Sequence, residues 1–135
     1  MKPLRLKMQA FGSYGKETTI DFEKVNQNLF LITGDTGAGK TTIFDAIVFA
    51  LYGEASSSLN KKEGVVLQSQ YVEMNVEPFV ELTFSEGNNA DSEIYTVRRV
   101  PRHLKPITRG TGKGGQREIA YGERADIIYR QVIRC

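Results

Sequence analysis

Cysteine, histidine and long apolar runs are scarce in this chain, and each scarcity removes a class of protein. The single Cys135, at the last position, allows no internal disulfide and suits a reducing cytoplasm. The single His103 has no second ligand-type neighbour in sequence, which argues against a metal centre. The longest apolar stretch, residues 46–52, is far too short to cross a bilayer, and no signal peptide is visible. There is no internal repeat and no sustained heptad, so neither a solenoid nor a coiled coil underlies this segment. A strong net charge is absent as well, since 18 Lys/Arg against 16 Asp/Glu leave +2. That charge is unevenly spread. Residues 94–135 hold ten Lys/Arg and three Asp/Glu, residues 1–93 hold eight and thirteen, and the basic part is therefore the C-terminal third.

What is present centres on residues 29–53. The apolar run at 29–33 reads as a strand, apolar on both faces as a covered central strand must be. It feeds Gly34-Asp35-Thr36-Gly37-Ala38-Gly39-Lys40-Thr41, which fits the G-x-x-x-x-G-K-[ST] pattern in the context that pattern requires, a strand before and a helix after. Gly34, Gly37 and Gly39 carry no Cβ, so the backbone can turn its N–H groups inward around an anion. The start of the following helix adds free N–H groups and the positive end of a dipole. Lys40 supplies a mobile ammonium, and Thr41 a hydroxyl short enough to ligate magnesium. Each charge-assisted bond of this kind contributes about 1.5–3 kcal/mol, so several together reach micromolar affinity for a nucleotide. Residues 42–52 form a helix with almost no polar face, expected to be buried nearly all round and closed by Gly53. Its one charge, Asp45, reads as structural, pairing with a nearby basic residue or capping a loop, in preference to a catalytic group a turn past the phosphate cradle.

On either side of this unit the chain reads as β structure. Leu4, Leu6 and Met8 alternate with polar residues as in a half-buried strand, expected at a sheet edge, and Thr18, Ile20 and Phe22 read as its hairpin partner. Between them, residues 11–15 read as a turn near the nucleotide, in which Phe11 and Tyr14 either fill the core or touch the ligand. Residues 54–64 read as an exposed loop, and Gln68 and Gln70 as solvated polar residues in preference to glutamines that position water or magnesium. A long strand is expected from Tyr71, with Pro78 marking an edge or a bulge, followed by a hairpin turn at 85–92 and a partner strand at 93–100. Residues 101–117 set Arg102, Lys105, Arg109, Lys113 and Arg117 among glycines and read as a flexible basic loop, either following a phosphate backbone or simply solvated. Ile127, Ile128, Val132 and Ile133 lie at mostly helical spacing, so residues 119–135 are expected to be a helix.

The order hairpin, strand, loop, helix, then more antiparallel strands predicts an α/β fold with a central sheet around the loop and an antiparallel sheet beside it, closer to an ABC-type head than to a doubly wound kinase. The chain resembles the N-terminal lobe of SbcC-type exonuclease subunits, ATPases of the structural-maintenance-of-chromosomes class. The residues that carry the resemblance are Phe11-Gly12-Ser13-Tyr14, Ile20-Asp21-Phe22, and above all the loop with Thr42-Ile43-Phe44-Asp45-Ala46-Ile47; the pattern runs from Met1 to about Tyr121. The resemblance implies that residues 1–135 are the N-terminal part of an ATPase head that binds ATP and magnesium, with Lys40, Thr41 and Thr42 as phosphate and magnesium contacts. It also implies a C-terminal lobe of the same head, a second identical head across the ATP, an SbcD-type nuclease subunit and DNA as partners. The family's glutamine loop, zinc-hook coiled coil, signature motif and catalytic glutamate are not in these residues, so no catalytic residue is expected here and hydrolysis by this stretch alone should be negligible. Two rival readings are a small phosphate-loop kinase or GTPase, and a nucleic-acid-binding module led by the basic third.

Overall fold

The computed structural model describes residues 1–24, 31–35, 37, 39–53, 69–73, 75–87, 92–107, 110, 112, 114–119 and 127–132. In chain order the elements are β1 (Lys2–Gln9), β2 (Thr18–Asp21), α1 (Lys40–Tyr52), β3 (Phe79–Glu86), β4 (Glu93–Arg99), β5 (His103–Pro106), β6 (Gln116–Ile119) and β7 (Ile127–Val132). Five strands form one antiparallel sheet in the order β2-β1-β3-β4-β7, while β5 and β6 pair apart from it as a two-stranded ribbon.

Side-chain alternation fixes which face of the sheet is covered. Leu6 stands opposite Ile20 on one side and Leu82 on the other, and Leu82 stands opposite Val97, so one apolar row crosses four strands. Against this row α1 lays Ile43, Ala46, Phe49 and Ala50, and with Met8, Phe11, Phe22 and Val80 they make the core. Ala46 and Ala50, one helical turn apart and fully buried, let the helix approach the sheet closely. Arg99, on the same face at the register position of Val80, donates from Nε to the carbonyl of Ala50 at 2.7 Å. That carbonyl lies in the last turn of α1, where no intrahelical donor remains. Gly53, at φ 76°, closes the helix with its N–H on Phe49 O at 2.8 Å, as its sequence position foretold. The opposite face of the sheet is polar, with Thr83 and Thr96 sharing a hydrogen bond at 3.0 Å and Arg98 lying over the Phe79 ring while pairing with Glu81.

Several expectations are corrected. β1 is interior, because β3 pairs along its far side; alternation tells which face of a strand is buried and not how many neighbours it has. The long strand expected from Tyr71 begins only at Phe79, since Pro78, which has no N–H for a ladder, stands directly before it. The helix expected over 119–135 is replaced by β7, which lines the open edge of β4. The run Ile127-Ile128-Tyr129 is β-branched and aromatic, and a waiting strand edge outweighs helical spacing. The basic stretch 101–117, expected as a loop throughout, holds β5 and the start of β6.

The region around the loop departs furthest from expectation. Leu29 and Phe30 lie outside the described residues, and residues 31–33 are in no strand, with Leu31 85% exposed. The central sheet around the loop is therefore not formed among the described residues: a covered parallel strand needs neighbours along its edges, and every described strand is committed to antiparallel pairing elsewhere. Nor is α1 buried all round. Only the stripe facing the sheet is covered, while Phe44 and Tyr52 remain 54% and 75% exposed.

Candidate phosphate-binding site

The loop meets α1 at Gly39, the N-cap residue, whose φ of 91° and ψ of 13° place it in the left-handed region. A glycine caps without a side-chain oxygen, and the first turn holds no acidic residue. The first helical bond is donated by Ile43 to Gly39 O at 3.3 Å. The N–H groups of Lys40, Thr41 and Thr42 thus precede the hydrogen-bonded helix. Gly37, at φ 87°, also needs the left-handed region, and a Cβ built on it would meet nothing within 4 Å, so the loop is open there.

Lys40 curls back over the loop: its ammonium donates to the carbonyls of Gly34 and Asp35, the latter at 2.9 Å. The cation is thereby held on the loop that leads into the helix. Amides ahead of the first helical bond, an ammonium and space at Gly37 are the chemistry of an anion with several oxygens, so the residues present fit a phosphate group. Thr41 is exposed at the same helix start, where its hydroxyl could ligate magnesium. Of the nine expected loop positions, the structure brings together Gly34, Asp35, Gly37, Gly39, Lys40, Thr41 and Thr42, while Thr36 and Ala38 lie outside the described residues.

The turn joining β1 to β2 closes on this loop from the side. Phe11 and Tyr14 exchange backbone hydrogen bonds at 2.9 Å, and Ala10 donates to Gly15 O at 2.9 Å. Ala10 itself has φ 48°, a region that costs a residue bearing a Cβ about 1–2 kcal/mol. Phe11 and Tyr14, whose roles the sequence left open, part company here. Phe11 is fully buried with its ring 5.7 Å from that of Phe49, whereas the Tyr14 ring lies over Gly39. Sequence reasoning passed over Ser13, whose Oγ lies 3.2 Å from Thr42 Oγ1. The glycine before it packs on the same side chain: a Cβ on Gly12 would stand 2.6 Å from the Thr42 methyl.

Other polar residues sit apart from this arrangement. Asp45 is 4% exposed and engaged by a partner, in keeping with a structural role. Gln70 is exposed, and Gln68 and the loop at 54–64 lie outside the described residues. His103 is buried in the ribbon, with Nδ1 2.9 Å from Pro101 O. Arg109 and Lys113 of the basic stretch also lie outside the described residues. Among the described residues no helix is long and apolar enough to cross a membrane.

A glycine-gated loop opening α1, set against an antiparallel sheet, matches one family along nearly its whole length: residues 5–132 fit the AAA domain. The chain belongs to the AAA domain family. Within it, similarity is to SbcC-type proteins. The SbcC subunit of the nuclease SbcCD from Lactococcus lactis is 36% identical over 121 residues, covering 89% of this chain and 11% of that protein. The protein of the same name from Staphylococcus aureus is 42% identical over 106 residues, 78% of this chain and 10% of its own length. That of Staphylococcus epidermidis reaches 62% over 65 residues, 47% of this chain and 6% of its own. This AAA domain chain therefore spans about a tenth of the length of the curated relatives it matches.

Proposed function

We propose that the chain is the nucleotide-binding N-terminal part of an SbcC-like ATPase head that acts with a nuclease subunit in the processing and repair of DNA double-strand breaks. The single observation that carries this reading is a helix opened by Gly39, with the N–H groups of Lys40, Thr41 and Thr42 ahead of its first bond and the Lys40 ammonium folded back onto the same loop. In that reading the backbone from Gly34 to Gly39 and the Lys40 ammonium hold the β- and γ-phosphates of ATP, Thr42 assists, and Thr41 holds magnesium. Magnesium, when bound, neutralises charge on the phosphate oxygens. The chain's own residues bind and orient the phosphates. They supply neither an in-line base nor an opposing signature loop, so this stretch alone turns over negligible ATP.

The partners follow from the same reading. The exposure of Leu31, Phe44 and Tyr52 supports a C-terminal lobe of the same head that completes the central sheet beside residues 31–33. A second head across the nucleotide, an SbcD-type nuclease and DNA complete the assembly, located in the cytoplasm. No observation favours the small kinase or GTPase. The basic ribbon is compatible with DNA contact by the head, and no observation calls for a separate nucleic-acid module.

The test is titration of the 135-residue chain with magnesium ATP, followed by calorimetry, beside Lys40→Ala. Loss of charge-assisted bonds from one ammonium should weaken binding by about tenfold to a hundredfold. Equal affinity in the two proteins would sink the assignment.

A further inference from the structure

The turn between β1 and β2 makes two contacts with the phosphate loop that the binding reading does not use. The edge of the Tyr14 ring packs beside Gly39, so that a Cβ built there would stand 2.9 Å from Cε2, 3.0 Å from Oη and 3.1 Å from Cζ. The Ser13 hydroxyl meets the Thr42 hydroxyl at 3.2 Å. These contacts fall on the first residue of the helix start and on the last residue whose N–H precedes the helical bonds. The turn is itself anchored on the far side, through the buried Phe11 against Phe49 and the Ser69 N–H donated to Ala10 O at 2.7 Å. It is thus tied to the core at one end and to the loop at the other.

We infer that Ser13 and Tyr14 are positioning residues for the phosphate site, with Ser13 holding the Thr42 side chain and Tyr14 holding Gly39 in its left-handed conformation. The inference rests on the reading of the loop as a triphosphate site and deepens it. Its physical basis is preorganisation. A hydroxyl free to rotate must be ordered when it meets a phosphate, whereas one already tethered by Ser13 loses less on binding. Gly39 likewise has the widest conformational freedom of any residue type, and a ring laid on its Cα narrows that freedom to the one conformation that aims the helix start at the anion. Both groups act through the loop, so their effect is on the phosphates and not on the base.

The experiment measures affinity of the 135-residue chain for magnesium ATP, magnesium GTP and magnesium tripolyphosphate, together with melting temperature without ligand. Ser13→Ala should weaken all three ligands alike, by about threefold to tenfold, the size of one neutral hydrogen bond. Ser13→Thr, which keeps the hydroxyl, should restore affinity. In a Thr42→Val background, Ser13→Ala should cause no further loss, because the group it holds is gone. Tyr14→Ala should weaken binding by a similar factor while Tyr14→Phe, which keeps the ring edge on Gly39, stays within about twofold of the parent. A purely structural role would instead lower the ligand-free melting temperature and leave affinity per folded molecule unchanged.

Unchanged affinity in Ser13→Ala and Tyr14→Ala overturns the inference, and so does an undiminished Ser13→Ala loss in the Thr42→Val background. If Lys40→Ala weakens binding by about tenfold or more in those cases, the phosphate site stands and only the positioning role fails. A parent chain that binds none of the three ligands overturns both.

Discussion

The two sides of α1 are built from the same kinds of residue and meet opposite fates. Ile43, Ala46, Phe49 and Ala50, facing the sheet, are at most 7% exposed, whereas Phe44 and Tyr52, on the same helix, are 54% and 75% exposed. The apolar residues that lead into the loop divide in the same way: Ile32 packs against the core and Leu31 is 85% exposed. Hydrophobicity alone therefore does not decide burial. What decides it is a partner surface, and the hairpins β1–β2 and β3–β4 bring their own partner within a short stretch of chain. A strand that needs parallel neighbours cannot do this locally, because each such neighbour lies beyond a crossover of a dozen or more residues.

The largest test of that contrast is Phe49→Ala. Its ring is 2% exposed and lies against Phe11, so its loss should cost about 3–5 kcal/mol in denaturant unfolding of the chain. A cost below about 1 kcal/mol would mean that the sheet side of α1 is not the packed side. Next come the loop glycines, which separate backbone strain from collision. Gly37→Ala should cost about 1–2 kcal/mol, from the left-handed φ of 87° alone. Gly39→Ala carries the same strain and also drives a Cβ to 2.9 Å from the Tyr14 ring, so it should cost more and weaken magnesium ATP further. Equal losses at the two positions would show that the turn does not bear on the loop. The smallest effect belongs to Leu31→Ser, which should shift the stability of this chain by no more than about 0.5 kcal/mol. In a full-length protein whose second lobe covers the strand, the same change should cost about 2–5 kcal/mol. The gap between those two measurements reports how much of Leu31 the second lobe buries.

The candidate site could be proposed before any coordinates, because glycine spacing, Lys40 and Thr41 state their chemistry locally. Positive φ at Gly37, Gly39 and Gly53 suits the residue type, and the pairing of β1 with β2 and of β3 with β4 follows from alternation joined by short connections. Ser13 was not legible, because its contact with Thr42 spans 29 residues and appears in no local pattern. The helix expected over 119–135 failed for a related reason. Ile127, Ile128, Val132 and Ile133 suit either periodicity, and the open edge of β4, about thirty residues earlier in the chain, decided between them.

By itself, then, the sequence determined those features whose cause lies within a few residues: the loop that favours an anion, the helix after it with its glycine stop, and the two hairpins. Only the tertiary structure decided which strand is interior, which stripe of α1 is covered, that β7 is a strand, and that the β1–β2 turn presses on Gly39 and Thr42. The division is physical. Backbone preference and side-chain alternation are properties of neighbours along the chain, whereas burial and register at a sheet edge depend on surfaces that only the folded molecule brings together.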